Sequence, residues 1–399
     1  MSKVLFVSGS LGLGHIERDL AIAREVRRLK PGTEVHWMAG DPAREVLKLK
    51  GENVLPESET FDQGTASVEK ISKNYTAELS DVAFDLITAF NKNGKLIWNI
   101  AKRNGYDLVV EDEAYEVFTV LYKNRSLQVC PCVGISDYFG YWGPTKTIKG
   151  KFIKRMSNNL WKKLVTKHHD IGTIMLLCER TDIPNERLGF MMPNAQELVG
   201  QEFVKFAGYP VTFDPKALED EVSLRRQYGF GNEPVILVTV GGTAVGKPLI
   251  DLGIKALPLI RGELLDARMV VNLGPRIDPN SFDLPLPAGL ELKGYVPELY
   301  KLMAACDIAI CVGGATSTLE LMALQKPFIY FPLQKHFEQE IIVAGRNERL
   351  GVGIKMRFSE VTPEQLAKAV IDNYGKKVGL PNASFDGIPF AGKAISTLL

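Results

Sequence analysis

A short apolar run that ends in a glycine loop and opens a helix begins each half of this chain, and that repetition restricts the fold more than any other feature. The first is Lys3-Val-Leu-Phe-Val-Ser8, followed by Gly9, Gly12 and Gly14 and a helical stretch over 17–29 with apolar Leu20, Ile22, Ala23, Val26 and Leu29. The second is Val235-Ile-Leu-Val-Thr-Val240, followed by Gly241-Gly-Thr-Ala-Val-Gly246 and a helix from Pro248. Further strands are predicted at 35–38, 107–110, 129–133 and 174–177 in the first half, and at 269–272, 308–312 and 328–331 in the second. Helices are predicted between them, at 69–90, 317–324, 338–349 and 362–373. This alternation implies parallel sheets covered by helices. The 399 residues suit two α/β domains, each a Rossmann-like half. The expected division is 1–208, a polar, turn-rich linker over 209–233, a second domain over 234–375 and a tail over 376–399 that packs back on the first domain. Ligands of such sheets sit at the carboxyl ends of the strands, so the two halves are expected to face one another across a cleft.

Composition narrows the partners. Lys plus Arg number 48 against 47 for Asp plus Glu, so no global field steers the chain to nucleic acid. No eighteen-residue apolar run exists, and the first apolar stretch meets glycines before it could form a signal-peptide core, which places the protein in the cytoplasm. Five cysteines, with Cys130-Pro-Cys132 the only close pair, read as reduced core residues rather than a metal or disulfide framework. No metal site and no cofactor are expected.

Three glycine loops carry the chemistry. The first, Gly9-Ser-Leu-Gly12-Leu-Gly14-His15, lies where backbone amides and a helix dipole favour an anion or an acceptor group. Its order, G-x-x-G-x-G, departs from the dinucleotide fingerprint G-x-G-x-x-G, and Asp41 is the only acid near the second strand, which disfavours a dehydrogenase. The dipole should lower the pKa of His15 and leave a neutral imidazole able to take a proton; a plain polar helix-start residue is the alternative. The second, Gly241-Gly242-Thr243, runs on to Gly246-Lys247 like a Walker A loop, but Pro248 replaces the magnesium-binding hydroxyl, leaving a metal-free phosphate contact. The third, Gly313-Gly314-Ala315-Thr316-Ser317-Thr318, again follows a strand and opens a helix. Glu320 either bonds back to Ser317 in a capping box or accepts the hydroxyls of a ribose, and spacing alone allows both. Downstream, Gln334, His336, Glu338 and Gln339 sit at a strand-to-helix junction suited to reading sugar hydroxyls.

Taken together these residues resemble glycosyltransferases of the GT-B fold, above all family 28, which includes the enzyme adding N-acetylglucosamine to lipid-linked muramyl peptide and the galactolipid synthases, with family 1 next. The most specific segment is Asp307 through Gly313-Gly-Ala-Thr-Ser-Thr-Leu-Glu320, then Lys326-Pro-Phe-Ile-Tyr-Phe-Pro332, then Glu338-Gln339. The resemblance implies a nucleotide-sugar donor, usually a UDP-sugar, in the C-terminal half. Glu320 would hold the ribose and backbone near Val296 the base. Gly313 to Thr318, with Gly241, Gly242 and Thr243, would hold the diphosphate, and Gln334, Glu338 and Gln339 the sugar. The N-terminal half would bind the acceptor, with His15 as base. Asp112 stands where a histidine-orienting aspartate occurs in some family 1 members, with Glu111 and Glu113 as rivals. Two departures concern the sugar: Glu338 replaces an aspartate, and Ile342 and Val343 stand where an asparagine often follows.

No D-x-D triplet occurs, which argues against the metal-dependent GT-A transferases and for metal-free, inverting displacement. A UDP-sugar 2-epimerase type and a non-catalytic nucleotide-sugar binder are the alternatives. Between residues 138 and 169 there are eight Lys or Arg and no acid. Read as a helix, Phe152, Ile153, Met156, Leu160 and Leu164 share one arc opposite Lys151, Lys154, Arg155 and Lys162. With Trp142 and Trp161 nearby, this suits an anionic membrane surface and a lipid-linked acceptor; a solvated basic face with its apolar side packed inward is the alternative.

Overall fold

The computed structural model describes residues 1–9, 13–61, 75, 83–143, 147–167, 169–218, 220–242, 244–282 and 286–399. They form two units: Met1–Ile71 with Glu78–Thr212 and Ala383–Leu399, and Ser72–Ala77 with Phe213–Asn382.

The first unit is a seven-stranded parallel sheet. Its strands are β1 (Lys3–Ser8), β2 (Glu34–Ala39), β3 (Asn53–Val54), β4 (Leu108–Asp112), β5 (Cys132–Ser136), β6 (Thr173–Leu176) and β7 (Val204–Phe206), in the order β3-β2-β1-β4-β5-β6-β7. Because strands buried on both faces need apolar residues throughout, Val4 to Val7 and Leu108 to Val110 are all fully or almost fully buried. The Leu13–Leu29 helix lays Ile16, Leu20, Ala23 and Val26 on this sheet. Against the same core pack Ile388, Ala391 and Ile395 of the Gly387–Ser396 helix. The contact is close: a Cβ at Gly392 would lie 2.4 Å from Glu25 Cγ. The return to this unit falls at Ala383, seven residues after the expected start of the tail, where Tyr209 N donates to Ser384 O and Pro210 bridges Asp386. The helix expected over 69–90 is observed as Ala83–Asn104; residues 69–74 and 76–82 lie outside the described set.

The second unit holds six parallel strands, β8 (Val235–Thr239), β9 (Arg268–Asn272), β10 (Leu290–Lys293), β11 (Ile308–Val312), β12 (Phe328–Phe331) and β13 (Ile354–Lys355), in the order β10-β9-β8-β11-β12-β13. Ile236, Val238, Met269, Val271, Ile308 and Ile310 face one side and pack on Leu249, Leu257 and Ile260 of the Lys247–Glu263 helix. In each sheet the winding reverses beside the first strand, between β1 and β4 and between β8 and β11. A crevice opens at the carboxyl ends of strands at such a switch point. The first and third glycine loops, and Asp112, are all at these two points.

Candidate active site

At the β1–β4 switch point, His15 stands in the first turn of its helix and Asp112 ends β4. Side chains alternate along a strand, so Asp112 and Glu111 point to opposite faces. Asp112 meets the helix. Glu111 lies instead near Gly134 and Phe118, and an added Cβ at Gly134 would be 3.1 Å from its Oε1. Burial first, and the charge of Glu116 second, push the Glu111 carboxyl well above the usual range, so it takes no part in orienting His15. Glu113 does face His15, with Oε2 3.9 Å from Nε2. Its φ of 48° is left-handed, a conformation that non-glycine residues adopt mainly where surrounding structure demands it. Gly9 closes the group: a Cβ there would sit 2.8 Å from the Asp112 carbonyl oxygen and 3.8 Å from both His15 Cγ and Glu113 Cβ. Gly14 is partly buried at the helix start, and Gly12 lies outside the described residues.

Arg18, one turn after His15, was not singled out by the sequence, yet it organises the cluster. Its Nε donates to Asp112 Oδ2 at 2.6 Å and its Nη2 to Oδ1 at 2.5 Å, a two-pronged pair, while Nη1 reaches Asp137 Oδ1. The same Nη2 lies 2.9 Å from His15 Nδ1, nearer than Asp112 Oδ1 at 3.4 Å. Burial alone, and Arg18 after it, would lower the His15 pKa; Asp112, and then Glu113, outweigh them and raise it to about 9. The expected neutral imidazole is therefore corrected. A helix terminus carries about half a charge, and full carboxylates at this range override it. Asp112 is burdened by burial but held well below the usual carboxylate range by Arg18 and then His15. Neighbouring Asp19, fully buried and accepting from Ser8 Oγ, is pushed well above that range by burial and then by Asp112.

At the β8–β11 switch point the glycines differ in role. Gly313 N donates to Phe331 O, and a Cβ on Gly313 would be 2.8 Å from Pro332 Cα, so this glycine permits strand-to-strand approach. Gly314 caps the Ala315–Ala323 helix and has open space beside it. The helix therefore begins two residues before Ser317, which puts Ser317 inside the first turn and removes the capping-box alternative for Glu320. Thr316, Ser317 and Glu320 share a partly exposed stripe at spacings of three and four residues, while Ala315 and Thr318 are buried. Thr318 is corrected as a ligand contact: its hydroxyl turns inward to the carbonyls of Gly314 and Ala315.

The remaining donor-loop positions surround this stripe in sequence. Gly241 is exposed with φ 76°, Gly242 is partly exposed, and Thr243 lies outside the described residues. A Cβ at Gly274 would stand 2.4 Å from Gly241 O, so the loop after β9 rests against this one. Lys247 pairs with Asp251 at 3.2 Å and lies over the Phe282 ring, unlike a Walker lysine. Val296 is partly buried in the turn after β10. Gln339 folds back so that its Oε1 accepts from Leu333 N at 2.8 Å, and Gln334 Nε2 donates to Ser359 Oγ at 2.6 Å. Glu338 begins a π-helical turn, Glu338–Val343, of a kind frequent at functional sites. Burial lowers the pKa of His336 to about 4, leaving it neutral. Tyr75, which no sequence signal marks, belongs to this unit: its hydroxyl donates to Phe331 O, its carbonyl accepts from Gln334 N, and its ring stacks on Phe358. Among the described residues no cluster of three or more His, Cys, Asp or Glu side chains is placed to hold a metal ion.

The basic segment is the Ile148–Lys167 helix. Its predicted apolar arc packs inward through Ile153 and Leu164, and Trp142 is 4% exposed, so these are corrected as surface contacts. Trp161 packs against Phe139 and Tyr115, Lys154 Nζ donates to Gly143 O, and Lys162 is partly buried. The residues facing outward include Ile148, Lys149, Lys151, Phe152, Arg155, Lys163 and Lys167. Asn158 ties this helix to Leu188 O, whose loop exposes Phe190 and Met191. No described helix is long and apolar enough to cross a membrane.

Comparison with known proteins agrees with this geometry. Residues 235–380 match the Glycosyltransferase family 28 C-terminal domain. An uncharacterized glycosyltransferase of Methanosarcina mazei is 25% identical over 395 residues, covering 94% of this chain and 93% of the relative. The UDP-N-acetylglucosamine–N-acetylmuramyl-(pentapeptide) pyrophosphoryl-undecaprenol N-acetylglucosamine transferase of Clostridioides difficile is 23% identical over 96% of this chain and 85% of its own. The crystal structure of MurG from Acinetobacter baumannii aligns over the whole of this chain and 99% of its own, with a TM-score of 0.56 at 14% identity. Two parallel α/β units of this kind are the GT-B fold. The chain is a glycosyltransferase of that fold, similar to family 28 and carrying the family's C-terminal domain.

Proposed function

We propose that the protein transfers a sugar from a UDP-sugar to an acceptor hydroxyl, with inversion and without a metal. The observation that carries this reading is the stripe of Thr316, Ser317 and Glu320 beside the open side of Gly314, at the switch point of the second sheet. Backbone amides at a helix start stabilise the charge that develops on a departing diphosphate, and a carboxylate one turn further suits two ribose hydroxyls. Glu338, Gln339 and Gln334 would then face the sugar, and Val296 the base. In the first unit the buried Asp112–Arg18 pair fixes His15 at the other switch point, where the acceptor proton is removed.

The acceptor is proposed to be lipid-linked and met at an anionic membrane surface. Support comes from the outward row of Lys149, Lys151, Phe152 and Arg155, which joins cationic heads to an exposed aromatic ring. The Clostridioides difficile relative is named for such an acceptor. Product analysis tests the reading. Incubation with UDP-N-acetylglucosamine, UDP-glucose or UDP-galactose and lipid extract should yield UDP and a new glycosidic bond of inverted configuration at the anomeric carbon. A C2 epimer formed without acceptor, or nucleotide binding with no turnover, contradicts it.

A further inference from the structure

We infer that Tyr75 is a positioning residue for the donor sugar: it seats the turn that carries Gln334, so a tyrosine from the N-terminal half of the chain helps the second unit recognise its sugar. The inference deepens the transfer reading above and rests on its placing of the donor sugar at Gln334. Residues 72–77 group with the second unit, although the chain on both sides, up to Ile71 and from Glu78, belongs to the first. Tyr75 is the described residue of that stretch, and it is buried. Its φ of 62° is left-handed, a conformation that a bulky residue keeps only where its surroundings hold it.

What Tyr75 holds is the turn that follows β12. Its hydroxyl donates to Phe331 O at 2.7 Å and its carbonyl accepts from Gln334 N at 3.1 Å, so one residue closes both ends of that turn. Burial, and Cys311 after it, push the phenol pKa well above its usual value, so the hydroxyl remains a donor. The ring stacks on Phe358 at 4.6 Å, and the next residue, Ser359, accepts from Gln334 Nε2 at 2.6 Å. Gln334 is thus tied to Tyr75 directly through its backbone and, by way of Phe358 and Ser359, through its side chain. The rest of the turn is fixed as well: Leu333 N donates to Gln339 Oε1, His336 N to Leu333 O and Lys335 N to Glu340 Oε2. Gln334 Oε1 has no partner among the described residues and, on a partly exposed side chain, is the acceptor left for a sugar O–H. Phe331 O is shared, because Gly313 N donates to the same oxygen at 2.9 Å. The Tyr75 hydroxyl therefore spaces the side chain proposed for the sugar from the loop proposed for the diphosphate.

Calorimetry on the full chain tests this with UDP, UDP-N-acetylglucosamine, UDP-glucose and UDP-galactose as ligands. Tyr75→Phe keeps the ring, and Gly313 N still donates to Phe331 O, so the variant leaves no unpaired carbonyl. It should bind UDP as the wild type does, while affinity for the tightest-bound sugar nucleotide falls about tenfold, the worth of one net hydrogen bond. A merely structural role would weaken UDP and its sugars together. Gln334→Ala supplies the second arm. It should lose sugar affinity alone, and adding Tyr75→Phe to it should cost nothing more, because the hydroxyl then has no side chain left to position. Unchanged sugar affinity in Tyr75→Phe, an equal loss for UDP, or additive losses in the double variant each overturn the assignment while leaving the donor site in place. A wild type that binds none of the four nucleotides fails the transfer reading itself, and the assignment falls with it.

Discussion

Arg18 Nη2 lies 2.9 Å from His15 Nδ1, so the histidine meets a cation before it meets its aspartate. Arg18 is only 3% exposed and neutralises Asp112 and Asp137 together. Removing it leaves two carboxylates buried without their partner, a change that costs about 3–5 kcal/mol when a buried pair is broken. Arg18→Ala should lower unfolding stability by that order in denaturant titration, and Arg18→Lys by less. An unchanged midpoint would show that the cluster is not structurally important.

The same cluster makes stability depend on pH in two directions. The His15 pKa is raised from 6.5 to about 9, so protonated His15 contributes fully below the unfolded value and the contribution is lost as pH rises through about 9. By linkage this is on the order of 3 kcal/mol. Asp112 is lowered, so its contribution is present above its ordinary value of 3.8 and is lost as pH falls beneath it. Unfolding free energy measured from pH 6 to 10 should fall in the wild type and fall less in His15→Gln.

Gly313 and Gly314 should separate folding from binding. A methyl on Gly313 meets Pro332 Cα at 2.8 Å, and overpacking of this kind costs about 1–3 kcal/mol. Gly314 has no neighbour within 4 Å of its added Cβ and a φ of −73°. Gly313→Ala should therefore lower Tm, whereas Gly314→Ala should keep it and weaken UDP binding. Calorimetry and thermal melts on both variants check the contrast.

Vesicle binding should follow the outward row of the Ile148–Lys167 helix rather than its buried arc. Lys151→Glu with Arg155→Glu, two charge reversals, should sharply weaken salt-sensitive binding to phosphatidylglycerol vesicles, since each basic residue near such a surface is worth about 1 kcal/mol. Phe152→Ser should weaken it further. Equal partition onto neutral and anionic vesicles by sedimentation would remove the membrane role.

Both parallel sheets were legible because β1, β4, β8 and β11 are continuous apolar runs punctuated by glycine. The edge strands β3, β7, β10 and β13 were not, since Asn53–Val54 and Ile354–Lys355 are two residues long and Leu290–Lys293 is only partly buried, leaving little pattern to read. At the site, the glycine loops pointed to His15 and Gly314, whereas Asp112 came only from the family resemblance, with Glu111 and Glu113 as rivals, and spacing left Glu320 with two readings. It could not show that Arg18 turns into the core, because an arginine one helical turn after a histidine resembles an exposed pair until its carboxylate partners arrive from β4 and β5. It also misread His15, whose charge depends on Asp112 and Glu113, 97 and more residues away. Tyr75 stood in no motif, and its place against Phe331 is purely tertiary. The basic helix followed its expected amphipathic period only in part, with Ile153 and Leu164 packed inward but Phe152 of the same arc exposed, because period alone does not tell whether an apolar arc meets solvent, lipid or protein.

The most direct test of donor binding in the second unit is a thermal-shift panel of UDP, UDP-N-acetylglucosamine, UDP-glucose, GDP-mannose, NAD and ATP on wild type and Glu320→Ala. A ligand at a hundredfold its Kd stabilises by about 2.7 kcal/mol. UDP and its sugars should raise Tm in the wild type, and Glu320→Ala, on a partly exposed helix face, should keep its own Tm but lose most of that shift. A shift with NAD or ATP alone, or a UDP shift indifferent to Glu320→Ala, would contradict the donor site and the transfer built on it.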